Sequence, residues 1–247
     1  MIIDADGQSY QQLNKTIREY ARDGETILLK NVYGQRYIGC GMTQKLEIII
    51  EGVPGNDLAA FMNGPRIVVE GNGQDGIGNT MNSGKVVIKG DAGDILGHSM
   101  RGDARIYVKG SVGYRTGIHI KSFQDQYPAI IIGGIVGDYL GEYMAGGIVV
   151  VLGNQNGSRK KDIVGRYVGT GMHGGALYIQ GKVPEHKLCP EVAEVEITEE
   201  DRQKLTELLT DYAKELELED IDPGEIIPRL TKLIPITTRP YGKLYAY

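Results

Sequence analysis

The sequence predicts an all-β solenoid, a right-handed parallel β-helix of about seven coils over residues 26–183, flanked by helical extensions. Three observations predict it. Short apolar strands closing on glycine recur at a nearly fixed interval, one apolar position keeps the same beat, and 36 of 247 residues are glycine, about twice the usual share.

The strands are Ile48-Ile49-Ile50-Glu51-Gly52, Ile67-Val68-Val69-Glu70-Gly71, Val86-Val87-Ile88-Lys89-Gly90, Ile106-Tyr107-Val108-Lys109-Gly110, Ile130-Ile131-Ile132-Gly133, Val149-Val150-Val151-Leu152-Gly153 and Leu177-Tyr178-Ile179-Gln180-Gly181. Their closing glycines stand 19, 19, 20, 23, 20 and 28 residues apart, so two intervals carry insertions. β-Branched residues suit a pleated, packed surface. The second beat is Met42, Met62, Met81, Met100, Ile120, Met144 and Met172. Gly39, Gly78, Gly97, Gly117, Gly141 and Gly169 lie three residues before six of these, with Ala59 in the remaining place. A further glycine, at Gly34, Gly55, Gly73, Gly93, Gly113, Gly137 and Gly165, precedes each by seven or eight positions. Each repeat therefore reads as one coil: a strand, glycine corners supplying positive φ, and an inward methionine. A coil cannot bury its apolar face alone, so the coils stack with parallel strands and the methionines form a continuous interior. Parallel crossovers are right-handed by default.

Residues 1–25 read as a helical cap. Tyr10, Leu13, Ile17 and Tyr20 have helical spacing within Ser9–Arg22, and Ser9 is the expected N-cap. The insertions, Ser122–Tyr127 and Gln155–Asp162 with its Ser158-Arg159-Lys160-Lys161 cluster, read as surface loops. Residues 184–247 form a C-terminal extension. A helix capped by Thr198 opens on Glu199, Glu200 and Asp201 and carries Leu205, Leu208, Leu209, Tyr212 and Leu216 on one face. Asp222-Pro223-Gly224 then turns the chain into a short helix and an extended apolar tail with Leu233-Ile234-Pro235, Tyr241, Tyr245 and Tyr247. Both extensions are expected to cover the unpaired edges of the stack. The tail packs back or docks on a partner; both remain open.

Net charge is −5 with dispersed cations, which argues against nucleic acid. No apolar run approaches the ~18 residues that span a bilayer, and no leader pattern opens the chain, so a cytoplasmic protein is expected. Cys40 and Cys189 lack metal or redox spacing and read as free, buried thiols. His98, His119 and His173 sit at different offsets from the apolar column, and with His186 they predict no metal site. The Gly73–Gly78 segment precedes a strand where a dinucleotide loop needs a helix, and Gly84-Lys85 lacks the upstream glycine of a phosphate loop. Asp75, Asp94, Asp138 and Glu142 recur with the corners, as turn-making acids do, although carbohydrate cleavage by such carboxylates is an alternative. No catalytic, cofactor-binding or metal residue is expected, and the residues singled out are the repeat positions, from Gly39 and Met42 to Gly169 and Met172.

Gly141-Glu142-Tyr143-Met144-Ala145-Gly146-Gly147 through Gly153, followed by Gly165-Arg166-Tyr167-Val168-Gly169-Thr170-Gly171-Met172-His173-Gly174-Gly175, closely resembles the C-terminal GXGXG domain of the glutamate synthase large subunit. The resemblance runs from about Gly34 to Leu233-Ile234-Pro235. It implies a non-catalytic structural subunit in a stand-alone form, docking a glutaminase and a synthase chain that carries FMN and an iron–sulfur cluster. Neither catalytic unit is present: residue 2 is Ile rather than a cysteine nucleophile, and two cysteines cannot ligate a cluster. The chain is also similar to the β-helical third subunit of formylmethanofuran dehydrogenase, which shares the Gly-Asp-Ala-Gly and Met-x-Gly-Gly patterns. Self-association is left open.

Overall fold

The computed structural model describes residues 1–153 and 162–236. Eight strands run parallel in chain order: β2 (Thr26–Tyr33), β3 (Glu47–Val53), β4 (Asn63–Val69), β5 (Ser83–Ile88), β6 (Asp103–Val108), β7 (Ala129–Ile132), β8 (Ala145–Val151) and β9 (Gly174–Gln180). A short strand not anticipated from sequence, β1 (Ile2–Asp4), pairs parallel with β2. At the other edge β11 (Leu230–Pro235) pairs antiparallel with β9 and β10 (Val192–Val195) antiparallel with β11. The seven repeat strands are β3–β9. Seven strands enclose about six turns, one fewer than the seven coils counted as repeats.

Equivalent residues stand directly beside one another, Ile48 beside Ile67, Ile67 beside Val86 and Val86 beside Ile106, so the ladder bonds run between coils. Every second strand residue points inward with the methionine row; Met62, Met81, Met100, Ile120 and Met144 are fully buried. Two physical reasons keep glycine at the corners. Gly97 has φ +70°, and a Cβ there would stand 2.8 Å from Met100 Sδ. Gly93 has no positive φ, against expectation; a Cβ there would meet the Gln74 carbonyl carbon of the preceding coil at 3.0 Å. Close stacking on the preceding coil explains Gly55, Gly93, Gly113, Gly137 and Gly165, whereas Gly34 has φ +80° with nothing near its Cβ position and is the one member kept by backbone handedness.

The apolar strand runs do not alternate because both faces are buried. Outward-facing Val68, Val87, Tyr107, Ile131, Val150 and Tyr178 are covered by α2 (Glu199–Leu216) through Leu205, Leu208, Leu209, Tyr212 and Leu216. The predicted end cap is thus a lateral cover. A helix with five apolar residues on one face finds more apolar area on the sheet than on one coil end. Thr198 caps α2, with Asp201 returning a bond to the Thr198 N–H at 2.7 Å. Charged groups lace the contact: Lys85 Nζ lies 2.7 Å from both Asp211 and Glu215, and the Tyr107 hydroxyl donates to Asp211 at 2.7 Å.

Helix α1 (Tyr10–Tyr20) does close the first turns. Ser9 and Gln12 form a reciprocal cap, and Leu13 and Ile17 enter the interior, while Tyr10 and Tyr20 stay exposed. After a single helical turn, α3 (Pro223–Ile226), the segment expected as a tail becomes β11 and packs back on the solenoid. Tyr241, Tyr245, Tyr247 and the Ser158–Lys161 cluster lie outside the described residues. No helix among the described residues is long and apolar enough to cross a membrane.

Candidate functional site

Each corner leading into the methionine row carries left-handed backbone at three alternate positions, five, three and one residues ahead of that row. In the coil of Met100 these are Ile95, Gly97 and Ser99, with φ of +59°, +70° and +57°. Two successive turns result, closed by the His98 N–H donating to the Ile95 carbonyl at 3.4 Å and the Met100 N–H to the Gly97 carbonyl at 3.2 Å. Outer and middle positions point their N–H groups in opposite directions along the stack. Ile95 donates forward to Tyr114 O (2.9 Å), Gly97 backward to Ile77 O (2.8 Å) and Ser99 forward to Ile118 O (2.9 Å). Each corner is thereby laced to both neighbours.

The middle position faces inward and is glycine in six coils and Ala59, at φ +60°, in the seventh. The outer positions differ. Five residues ahead stand Tyr37, Asp57, Gly76, Ile95, Arg115, Tyr139 and Tyr167; one residue ahead stand Gly41, Phe61, Thr80, Ser99, His119, Tyr143 and Gly171, all with positive φ. Glycine is accepted in both rows, as Gly76, Gly41 and Gly171 demonstrate, so the side chains elsewhere are not required by the backbone. Left-handed geometry costs a non-glycine residue about 1 kcal/mol, and for a β-branched residue such as Ile95 it is a true outlier. Strain of this kind, held on outward-facing side chains, clusters at functional surfaces in proteins generally.

In the last three coils those side chains, with the neighbouring Arg166, form an aromatic and cationic face. Tyr139 and Tyr167 stack at 4.8 Å between centroids, and His119 stacks on Tyr143 at 5.3 Å. The guanidinium of Arg115 sits 5.1 Å over Tyr139 and that of Arg166 5.6 Å over Tyr167. Phe61, Ile95, Tyr143 and Tyr167 are exposed. Tyrosine and arginine on an open face are residue types that dominate protein–protein binding energy.

The histidines depart from expectation. Different offsets in the repeat suggested that they stay apart, yet His98 and His119 meet edge to face at 5.9 Å, because the rows two and one residues ahead of the methionines converge at the corner. Burial first, and then His119, pushes the His98 imidazole below its ordinary value, and its Nδ1 lies 3.1 Å from Asn79 Oδ1. His173 instead faces the Gly171 carbonyl at 3.1 Å, and no cluster of three metal-ligating side chains occurs among the described residues. The recurring acids serve the stack, across coils rather than within one turn. Asp75 accepts from the Asp94 N–H (2.9 Å), Asp94 from the Tyr114 N–H (3.0 Å) and Asp138 from the Arg166 N–H (2.7 Å), while buried Glu142 pairs with Arg115 at 3.2 Å. Gly76 and Gly78 are corner glycines, and Lys85 is bound to α2. Cys40 and Cys189 are free but half-buried rather than buried. The outer-row residues were missed; the one signal available was that they vary where the middle position does not.

Fold and corner together define a β-solenoid whose repeats turn on glycine at alternate positions. The GXGXG motif family model matches residues 3–224, and the chain belongs to that family, the family of the glutamate synthase C-terminal domain. A curated relative, uncharacterized protein MJ1350 of Methanocaldococcus jannaschii, is 45% identical over 99% of this chain and 96% of its own length. Among solved structures, a chain of the formyltransferase/hydrolase complex FhcABCD from Methylorubrum extorquens, crystallised with methylofuran, superposes with a TM-score of 0.57 at 19% identity, covering 87% of this chain and 84% of that one.

Proposed function

We propose that this chain is a non-catalytic structural subunit of a glutamate synthase, holding a glutaminase and a synthase chain in register on its rigid face, in the cytoplasm. FMN and the iron–sulfur cluster belong to the partner chains in this reading. One observation carries it: the outer corner rows keep exposed tyrosine, histidine and isoleucine and a half-buried arginine in strained backbone where glycine would fit. The long glycine-rich motifs and the family membership support the glutamate synthase context.

A second reading is favoured by the likeness to a chain of the FhcABCD assembly, namely a subunit of a formylmethanofuran dehydrogenase or related formyl-transferring complex. Affinity purification of the tagged chain from its native cells separates the two. Recovery of a glutaminase with a flavin and iron–sulfur synthase supports the first reading; recovery of molybdenum or tungsten enzyme subunits replaces it by the second. In either case Tyr139→Gly/Tyr143→Gly/Tyr167→Gly is expected to lose the partners while keeping the fold. Partners retained in full by this variant would remove the corner face from the proposal. Turnover of glutamine and 2-oxoglutarate by the purified chain alone would refute the non-catalytic role.

A further inference from the structure

The residue directly after each methionine-row position begins the approach to the next strand, and its N–H donates to the row carbonyl one coil back. Arg101 donates to Met81 O at 2.9 Å and Lys121 to Met100 O at 3.0 Å, so the two stand in successive coils at one strand spacing, about 4.8 Å. Like charges side by side are destabilising. The position does not ask for a cation, because Asn63, Asn82, Ala145 and His173 occupy it in other coils. Nor is either cation neutralised: among the described residues no carboxylate lies within 4.0 Å, whereas Arg66, Lys85, Arg105, Arg115 and Arg166 each have one. Both line a groove of about 490 Å³. Its one acid, Asp103, is already held by Arg105 at 2.6 Å.

The inserted loop makes the far wall. Phe123 and Gln126 bond to each other across the insertion (3.0 and 3.1 Å), which leaves Phe123 half exposed at the rim and brings Gln126 Oε1 to 3.5 Å from where a Gly102 Cβ would stand. The groove thus joins two cations that have no carboxylate partner among the described residues, neutral amides and one aromatic ring.

We propose that this groove binds a small oxyanionic molecule, a carboxylate or phosphate that bridges Arg101 and Lys121 with its carbon skeleton against Phe123. A concave site of this size, within the range of small-molecule pockets, favours a small ligand over a flat protein contact. The inference does not depend on which complex the chain joins.

The test is calorimetric titration of the full chain at low salt with inorganic phosphate in one arm and succinate in the other. One arm is expected to give saturable binding, and the arm that binds identifies the oxyanion. Arg101→Ala and Lys121→Ala should each weaken it about tenfold, the loss of one charge-assisted hydrogen bond, while Lys109→Ala, in a different groove, leaves it unchanged. Ala145 occupies the same position in a neighbouring coil, so both variants fold; Arg101→Gln and Lys121→Gln provide a second pair. No heat from either anion at concentrations on the order of 10 mM, or binding that survives the double substitution, overturns the proposal. Partner capture by the corner face is a separate readout and is expected to be the same in these variants.

Discussion

Ile95 and Gly97 are two residues apart, share left-handed backbone and have opposite surroundings, exposed for one and fully enclosed for the other. Opposite substitution effects follow. Ile95→Gly relieves a strained β-branched residue and is expected to stabilise the protein by up to about 1 kcal/mol. Gly97→Ala puts a Cβ against Met100 and Ile130 in the same strained geometry and should destabilise by about 2 kcal/mol or more. Paired chemical melts of the two variants check the sign of each. In the interior, Met100→Ala leaves a cavity between stacked coils and should cost ~2 to 5 kcal/mol; an unchanged melting temperature would contradict its place in the core. The methionine row and the glycine before it were legible in sequence, because side-chain size is constrained at those positions. The outer left-handed rows were not. Tyr139, Arg115 and His119 carry no composition signal of positive φ, and only lacing to both neighbouring coils holds them there.

At the level of elements, α2 shows what periodicity does and does not reveal. Its cap, length and apolar face were readable, but an apolar face does not name its partner. The decisive clue lay in the strands. Val86-Val87-Ile88 has no polar alternation, and a strand apolar on both sides needs a second cover. The contact is also acid-sensitive. Burial would raise the carboxyls of Asp211, Glu215 and Asp201, yet bonds from Lys85 and Tyr107, from Arg66 and Lys85, and from Lys232, Tyr178 and Thr198 respectively outweigh it and hold all three below the usual carboxylate range. The folded state then binds fewer protons than the unfolded chain near pH 4, so these groups stabilise the fold above that pH, and their contribution is lost as pH falls toward their lower folded values. Melting temperature should therefore drop steeply below about pH 4. Asp201→Asn should lose about 2 kcal/mol at neutral pH and show a shallower acid slope, which a pH series of thermal melts measures. An equal slope in wild type and variant would exclude Asp201 from the linkage.

Taken whole, the molecule is a stack in which each coil touches chiefly its neighbours, and this is why so much of it was legible. A one-dimensional architecture writes its period into the chain, and β3–β9 fall on the seven repeats. Hidden were the features that break the period, β1 and the antiparallel pair β10–β11, which occur once and leave no self-similarity to detect. The groove beside Arg101 was equally silent, since it forms from residues of four coils and a loop.

The lateral position of α2 has a mechanical consequence. The bonds between coils lie along the stack axis, so tension applied to the two ends of a bare solenoid would peel coils off singly, each releasing about 20 residues or roughly 70 Å of extended chain. Here the helix reaches from Tyr178 on β9 to Arg66 on β4, crossing the strands between them. A pull on the C-terminal side strips β11 from β9 and β10 and then loads this clasp, so the rod should yield at one high force, when α2 tears away, and only afterwards unravel in small steps.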